Sequence, residues 1–353
     1  MLWKYALELF MNVAQQESND KQSYSQQPVR SVCSFDFSSS NCKRALRIER
    51  TTTAGLGHQI SEIVFGMQLA TSQEATLMYE PFQNESSHHE VQGYEFVGRL
   101  LGLDTLVMSE TQTSLNYTRI DLHDNTNTAC NVLVEGPYTG CIDGDCFRSG
   151  ALALAFENQA PCLKYIARTA GDWAIRSPFQ DDGSLNIVWH IRVGDIEPHP
   201  PTDIFYENLF YSLQPFLSSF KHVIFYFISE WGQLPAEKAA SYRTRLSRLS
   251  HNSKFISKFI SPGIEDAMLF LMHSDLIIGS GSSLPLIAAT FSDKTVYVNA
   301  QPKHGWNFLA DFLADGLIVR DDGIIVNHLL EIRKKWMNRN PQYWRKLHDT
   351  ADW

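Results

Sequence analysis

The chain has no run of the ~18–20 apolar residues that a helical membrane span requires. Its opening stretch, residues 1–14, is apolar in places but carries Lys4 and Glu8, and no small-residue cleavage site follows. That stretch reads as an amphipathic helix, and no membrane anchor is visible. A basic stripe is lacking as well. Acidic residues number 39 against 30 basic, a formal charge of −9. The longest basic clusters are Lys43-Arg44 and Arg333-Lys334-Lys335, which read as solvated faces. Nucleic-acid binders concentrate positive charge on one face, so no nucleic-acid partner is expected. No Gly-x-Ser-x-Gly elbow occurs, which removes the usual signature of a serine hydrolase. His88, His89, His199, His222 and His273 are too scattered for a metal-ligand pattern, so no metal site is expected from them.

Cysteine is sparse but patterned. Cys33, Cys42, Cys130, Cys141, Cys146 and Cys162 all fall in the N-terminal half. An even count fits up to three disulfides in an oxidising lumen. Metal binding is the rival reading, but Cys141 and Cys146 have no second pair at matching spacing. Asp143-Gly144-Asp145 spells a metal-binding Asp-x-Asp, yet those two cysteines flank it, and a disulfide-rich loop is its expected setting. Two glycosylation triplets start at Asn84 and Asn116. Together these place the chain in the secretory lumen, Golgi or ER, if it is eukaryotic, and in the cytoplasm otherwise.

The sequence is rich in alternating strand and helix signals. Its 353 residues, 44% hydrophobic and 20% charged, suit two globular domains at about 150 residues each. A flexible or amphipathic lead-in covers residues 1–32, polar and Gln/Ser-rich over 15–30. An N-terminal α/β domain is expected over 33–182 and a C-terminal one over 183–353, joined at the polar turn Gln180-Asp181-Asp182-Gly183-Ser184. In the second half, strands are expected over 185–192, 222–228, 276–278 and 295–298. Helices are expected over 204–220, 235–250, 264–273 and 284–291. In the first half, residues 47–50 lead through Gly55-Leu56-Gly57-His58-Gln59 to a helix over 60–70 and a strand over 75–79. Such alternation implies parallel sheets covered on both faces, with ligands beyond the carboxyl ends of the strands.

Three motifs stand where that rule puts chemistry. His190-Ile191-Arg192-Val193-Gly194-Asp195 closes an apolar strand. A guanidinium there can clamp a pair of phosphates, and Asp195 can orient it; a structural Arg–Asp pair is the alternative. The glycines of Gly55 to Gln59 allow backbone N–H groups to face an anion at a helix N-terminus, though a plain tight turn spells the same way. They lack the third glycine of a dinucleotide fingerprint and the lysine of a P-loop. Asp275-Leu276-Ile277-Ile278-Gly279-Ser280-Gly281-Ser282-Ser283 runs from a strand through a hydroxyl-rich turn into a helix. Its serines can cap that helix or hold phosphate oxygens.

Taken in order, these motifs resemble the fucosyltransferase superfamily of α1,2-, α1,6- and protein O-fucosyltransferases. Gly55 to Gln59 matches the early Gly-x-Gly-x-Gln turn, with Glu62, Phe65 and Ala70 in the helix behind it. His190 to Asp195 matches the His-x-Arg motif, whose first arginine contacts the donor diphosphate, a role that passes to Arg192. Val193 stands where the α1,2 and α1,6 branches carry a second arginine. The segment 275–289 is similar to the third motif, which lines the phosphates. The resemblance spans residues 45–300 and rests on three short motifs.

It implies two Rossmann-like domains facing across a cleft, a GT-B-like α/β fold. It also implies an inverting, metal-free transfer of fucose from GDP-fucose to a glycan or glycoprotein hydroxyl. No cofactor beyond the donor is implied. Donor contacts are expected from Arg192, Gly57, His58, Gln59, Ser280, Ser282 and Ser283. Catalytic roles are expected for Arg192, His190 and Asp195, with Glu197 and His58 as further candidates for the general base. Two other readings stand beside this one: transfer of another sugar such as xylose on the same scaffold, and a sugar-nucleotide-binding protein without turnover. A disulfide-rich binding module is the third.

Overall fold

The computed structural model describes residues 45–49, 56–72, 75–78, 94–103, 118–120, 131–135, 151–172, 177–180, 182–192, 203–218, 220–249, 255–279, 282–292 and 296–299. Within them the chain forms two wholly parallel sheets. The first contains β1 (Ala45–Glu49), β2 (Thr76–Met78), β3 (Thr118–Ile120) and β4 (Asn131–Glu135) in the order β2-β1-β4-β3. The second contains β5 (Leu185–His190), β6 (Val223–Ile228), β7 (Phe255–Ile260), β8 (Leu276–Gly279) and β9 (Val296–Asn299) in the order β7-β6-β5-β8-β9. Helices α1 (Leu56–Ser72), α2 (Tyr94–Leu100) and α3 (Ala151–Ala170) accompany the first sheet in sequence. Helices α4 (Asp203–Leu217), α5 (Ala236–Leu249), α6 (Ile264–His273) and α7 (Ser283–Phe291) accompany the second. The α/β class with two Rossmann-like sheets, expected from the sequence, is what the chain adopts.

Strand chemistry explains the second sheet. All six residues of β6, Val-Ile-Phe-Tyr-Phe-Ile, are buried, as suits a central parallel strand covered on both faces. Side chains of a strand alternate between faces, and here they divide cleanly. Ile187, Trp189, Phe225, Phe227 and Ile278 join the core under α4, with Leu246 from α5. Val188, Tyr226, Ile228, Ile277 and Tyr297 join the other core, which holds α6 and α7. That second core continues through α1 and α3 to Leu46, Ile48 and Leu77 of the first sheet. Helix α7 packs against α1 and α3, and α2 against α6. One apolar body therefore joins the two sheets.

Several boundaries move from expectation. Helix α1 begins at Leu56 and not at residue 60: Leu56, Gly57 and Gln59 are buried, Gly57 against Ser283 of the second half, and extend the helix by one turn. Strand β5 ends at His190, two residues early, although Ile191 N–H still donates to Ile228 O at 2.9 Å. Strand β7 was not anticipated. Its apolar run is broken by Ser257 and Lys258, and it lies at the sheet edge with a single neighbour. Cys162 is a thiol buried in the core of α3, so it takes no part in an expected bridge. The other five cysteines lie outside the described residues.

At the polar turn between the halves, Ser184 N–H donates to Asp182 Oδ1 at 2.9 Å. Gly183 holds φ +76° there, a left-handed conformation that favours glycine. Upstream, the ring of Phe179 packs on Tyr226 and Phe270.

Candidate functional site

The order of the second sheet reverses between β5 and β8. The chain steps outward from β5 to β6 and β7, then returns to the other side for β8 and β9. At such a reversal the loops leave in opposite directions and open a crevice beyond the strand carboxyl ends, where ligands of doubly wound sheets bind. Two of the three sequence motifs begin at the carboxyl ends of the strands on either side of that reversal. Strand β5 delivers His190 and then Arg192. Strand β8 ends at Gly279, and Ser282 caps α7 just beyond.

The helix start is well formed. Ser282 has extended backbone, φ −128° and ψ 140°, and its Oγ accepts from Leu284 N–H at 3.4 Å. Helix α7 carries no acidic residue in its first turn, so no carboxylate of its own offsets the partial positive charge there. Ser283, its first residue, is buried.

The glycine motif of the first half meets this same helix end. Gly57, in the first turn of α1, touches Ser283 so closely that a Cβ on Gly57 would overlap Ser283 Oγ. The same Cβ would lie 2.8 Å from Ser283 Cβ and 3.5 Å from Leu284 N. The first turn of α1 also lacks an acidic residue. Two helix N-termini thus abut, each with the donor character that attracts anions. Gln59 is fully buried behind Gly57, and Ser61 Oγ donates back to Gly57 O at 2.8 Å. Glu62, Phe65 and Ala70 are all buried along α1.

His190 is half-buried at the end of β5, on the face it shares with Val188 and α7. Its imidazole is held well below the ordinary value of 6.5, at about 4, first by burial and then by the positive charge of Arg192. It is therefore neutral at pH 7. Arg192 is half-buried two residues beyond the strand. Asp195, Glu197 and Ser280 lie outside the described residues, as does the side chain of His58, whose backbone stands in the first turn of α1. Asp275, the first residue of the third motif, sits at the opposite end of β8. There its Oδ2 accepts from Asn186 N–H at 2.8 Å, stitching β5 to β8.

Two residues near the crevice escaped sequence reasoning. Ser229 follows β6, next to the β5 end, and its buried Oγ has no hydrogen-bond partner among the described residues. Tyr297 lies on β9 with its hydroxyl against Gly279. A serine that ends a buried apolar run was the available signal for Ser229. Nothing local marks Tyr297, because its contact is made across strands.

No family model matches the chain, and no curated protein matches it. Solved structures resemble it loosely. The iron-containing dodecameric glycosyltransferase TibC of enterotoxigenic E. coli shares 10% identity over 88% of this chain and 76% of its own, with a TM-score of 0.35. A UDP-N-acetylglucosamine 2-epimerase of Listeria monocytogenes shares 8% over 88% and 98%, with a TM-score of 0.33. HepE of Anabaena, solved with UDP-glucose, shares 9% over 87% and 99%, with a TM-score of 0.29. Likeness this loose says nothing of reaction or ligand, and the fold class rests on the chain's own strand order.

Proposed function

We propose that the chain is a glycosyltransferase that binds a nucleotide diphospho-sugar in the crevice between β5 and β8, with GDP-fucose as the donor. The observation that carries this reading is the meeting of Gly57 and Ser283, two helix starts without acidic residues, beside the strand that presents Arg192. A diphosphate needs cationic and N–H donors on more than one side. The motif resemblance supplies the choice of fucose and guanosine.

In the transfer, an acceptor hydroxyl of a glycan or glycoprotein attacks the anomeric carbon from the face opposite the diphosphate. The bond from that carbon to the phosphate oxygen breaks, and the configuration inverts. Charge grows on the leaving diphosphate, where Arg192 and the first turns of α1 and α7 stabilise it. The hydroxyl proton passes to a general base, for which Asp195, Glu197 and His58 are the candidates. His190, neutral at pH 7 with its pKa near 4, suits a hydrogen bond to the donor better than proton abstraction.

Titration calorimetry with GDP, UDP, GDP-fucose and UDP-xylose, followed by transfer assays, tests this. GDP and GDP-fucose should bind, and Arg192→Ala should lower turnover at least ~100-fold, about 3 kcal/mol of transition-state stabilisation. Failure of every nucleotide to bind, or near-normal turnover without Arg192, would refute it. Tight binding with no transfer or donor hydrolysis would make the chain a sugar-nucleotide-binding protein.

A further inference from the structure

We infer that Tyr297 is a positioning residue for the anion-binding end of α7, acting through Gly279; the inference rests on the donor reading above. Gly279 is the last residue of β8, the strand that leads to Ser282 and Ser283. On β9, Tyr297 stands opposite Ile277, two residues before the Gly279 position. In parallel strands residues two apart share a face, so the Tyr297 ring can lean along the sheet toward Gly279. It does so fully. A Cβ placed on Gly279 would overlap the Tyr297 hydroxyl and come within 2.6 Å of its Cε2 and Cζ atoms.

The ring therefore occupies the space that any other residue's side chain would need. It has little freedom to yield, because Tyr297 is only 4% exposed and belongs to the core shared with Ile277, Leu286 and Ile287. Burial also pushes the phenol pKa upward, so the hydroxyl stays protonated and neutral. The aromatic ring is thus a rigid shim between β9 and the end of β8. Its thickness sets the height at which β8 releases the chain toward α7. That height fixes where the first-turn N–H groups of α7 stand relative to Arg192, two residues beyond the neighbouring strand β5. A methyl on Gly279 must lift the strand end or displace the ring, and displacements of a fraction of an ångström weaken charge-assisted contacts.

The test compares wild type, Gly279→Ala, Tyr297→Leu and the double variant, measuring calorimetric affinity for GDP and UDP and urea unfolding midpoints. Gly279→Ala should weaken binding of whichever nucleotide the wild type binds by about tenfold. The double variant should regain at least about fivefold of that loss, since such coupling is what contacting residues show. Its unfolding midpoint should nonetheless stay below that of Gly279→Ala, because the buried ring is gone. Affinity that recovers while stability falls separates positioning from mere packing.

Unchanged affinity in Gly279→Ala, or additive losses in the double variant, overturns the role of Tyr297 and leaves the donor reading intact. A wild-type protein that binds neither nucleotide overturns both. Should Gly279→Ala not fold, Tyr297→Phe must keep wild-type affinity and Tyr297→Leu must lose about tenfold, again as coupled contacts dictate. The opposite order overturns the inference.

Discussion

At the scale of single residues, His190 carries the clearest electrostatic signature. Its pKa of about 4 in the folded chain lies below the ordinary 6.5. Between those values the unfolded chain binds more protons, so stability is greatest above pH 6.5 and falls as the pH drops toward 4. His190 is only half-buried, which limits the swing to on the order of 1–3 kcal/mol. His190→Gln should flatten urea midpoints across that pH window and leave them nearly unchanged at pH 7. A histidine signal titrating near 6.5 by NMR in the ligand-free protein would contradict the assigned environment. The identity of the motif residues was readable because charge and strand position sit together in His190-Ile191-Arg192. The pKa was not, since it depends on what covers the end of β5.

At the scale of elements, the meeting of α1 and α7 turns on one missing side chain. Gly57→Ala must push Ser283 aside, and overpacking of this kind costs about 1–3 kcal/mol. Replacing Ser283 by glycine in the same chain should restore most of that loss, because the obstructing atoms are Ser283 Oγ and Cβ. Urea denaturation of the two single variants and the pair measures it. A Gly57→Ala chain as stable as wild type would mean that the helices do not touch there.

The contact also shows what sequence could convey. Helix α6 was readable to the residue, since Pro262-Gly263 precede a strongly periodic apolar run. The glycine motif was read as a turn, and its residues from Leu56 onward form the first turn of α1, where Gly57 is packed against Ser283 of α7. Helix α3 was missed, since Pro161 interrupts its middle, and β7 was missed because Lys258 breaks its apolar run. Propensity reaches as far as the local chain; the rest is decided by partners over a hundred residues away.

At the scale of the whole molecule, the telling feature is that one core serves both sheets. Leu286 of α7 is 1% exposed and shares its cluster with Leu46 and Ile48 of β1 and with Val188 of β5. Two units with private cores can melt separately, whereas units that share one lose their support together. Leu286→Ala leaves a cavity at this junction and should cost about 2–5 kcal/mol. Because α7 packs on α1 and α3 of the first half, the loss should be felt equally by each sheet. Native-state hydrogen exchange reads this directly: the slowest amides of β1 and of β5 should lose the same protection in the variant. Exchange that accelerates in β5 while β1 keeps its wild-type protection would show two independent folding units. The crevice between β5 and β8 would then rest on the second sheet alone, and Gly57 would reach Ser283 only while the two units stay docked.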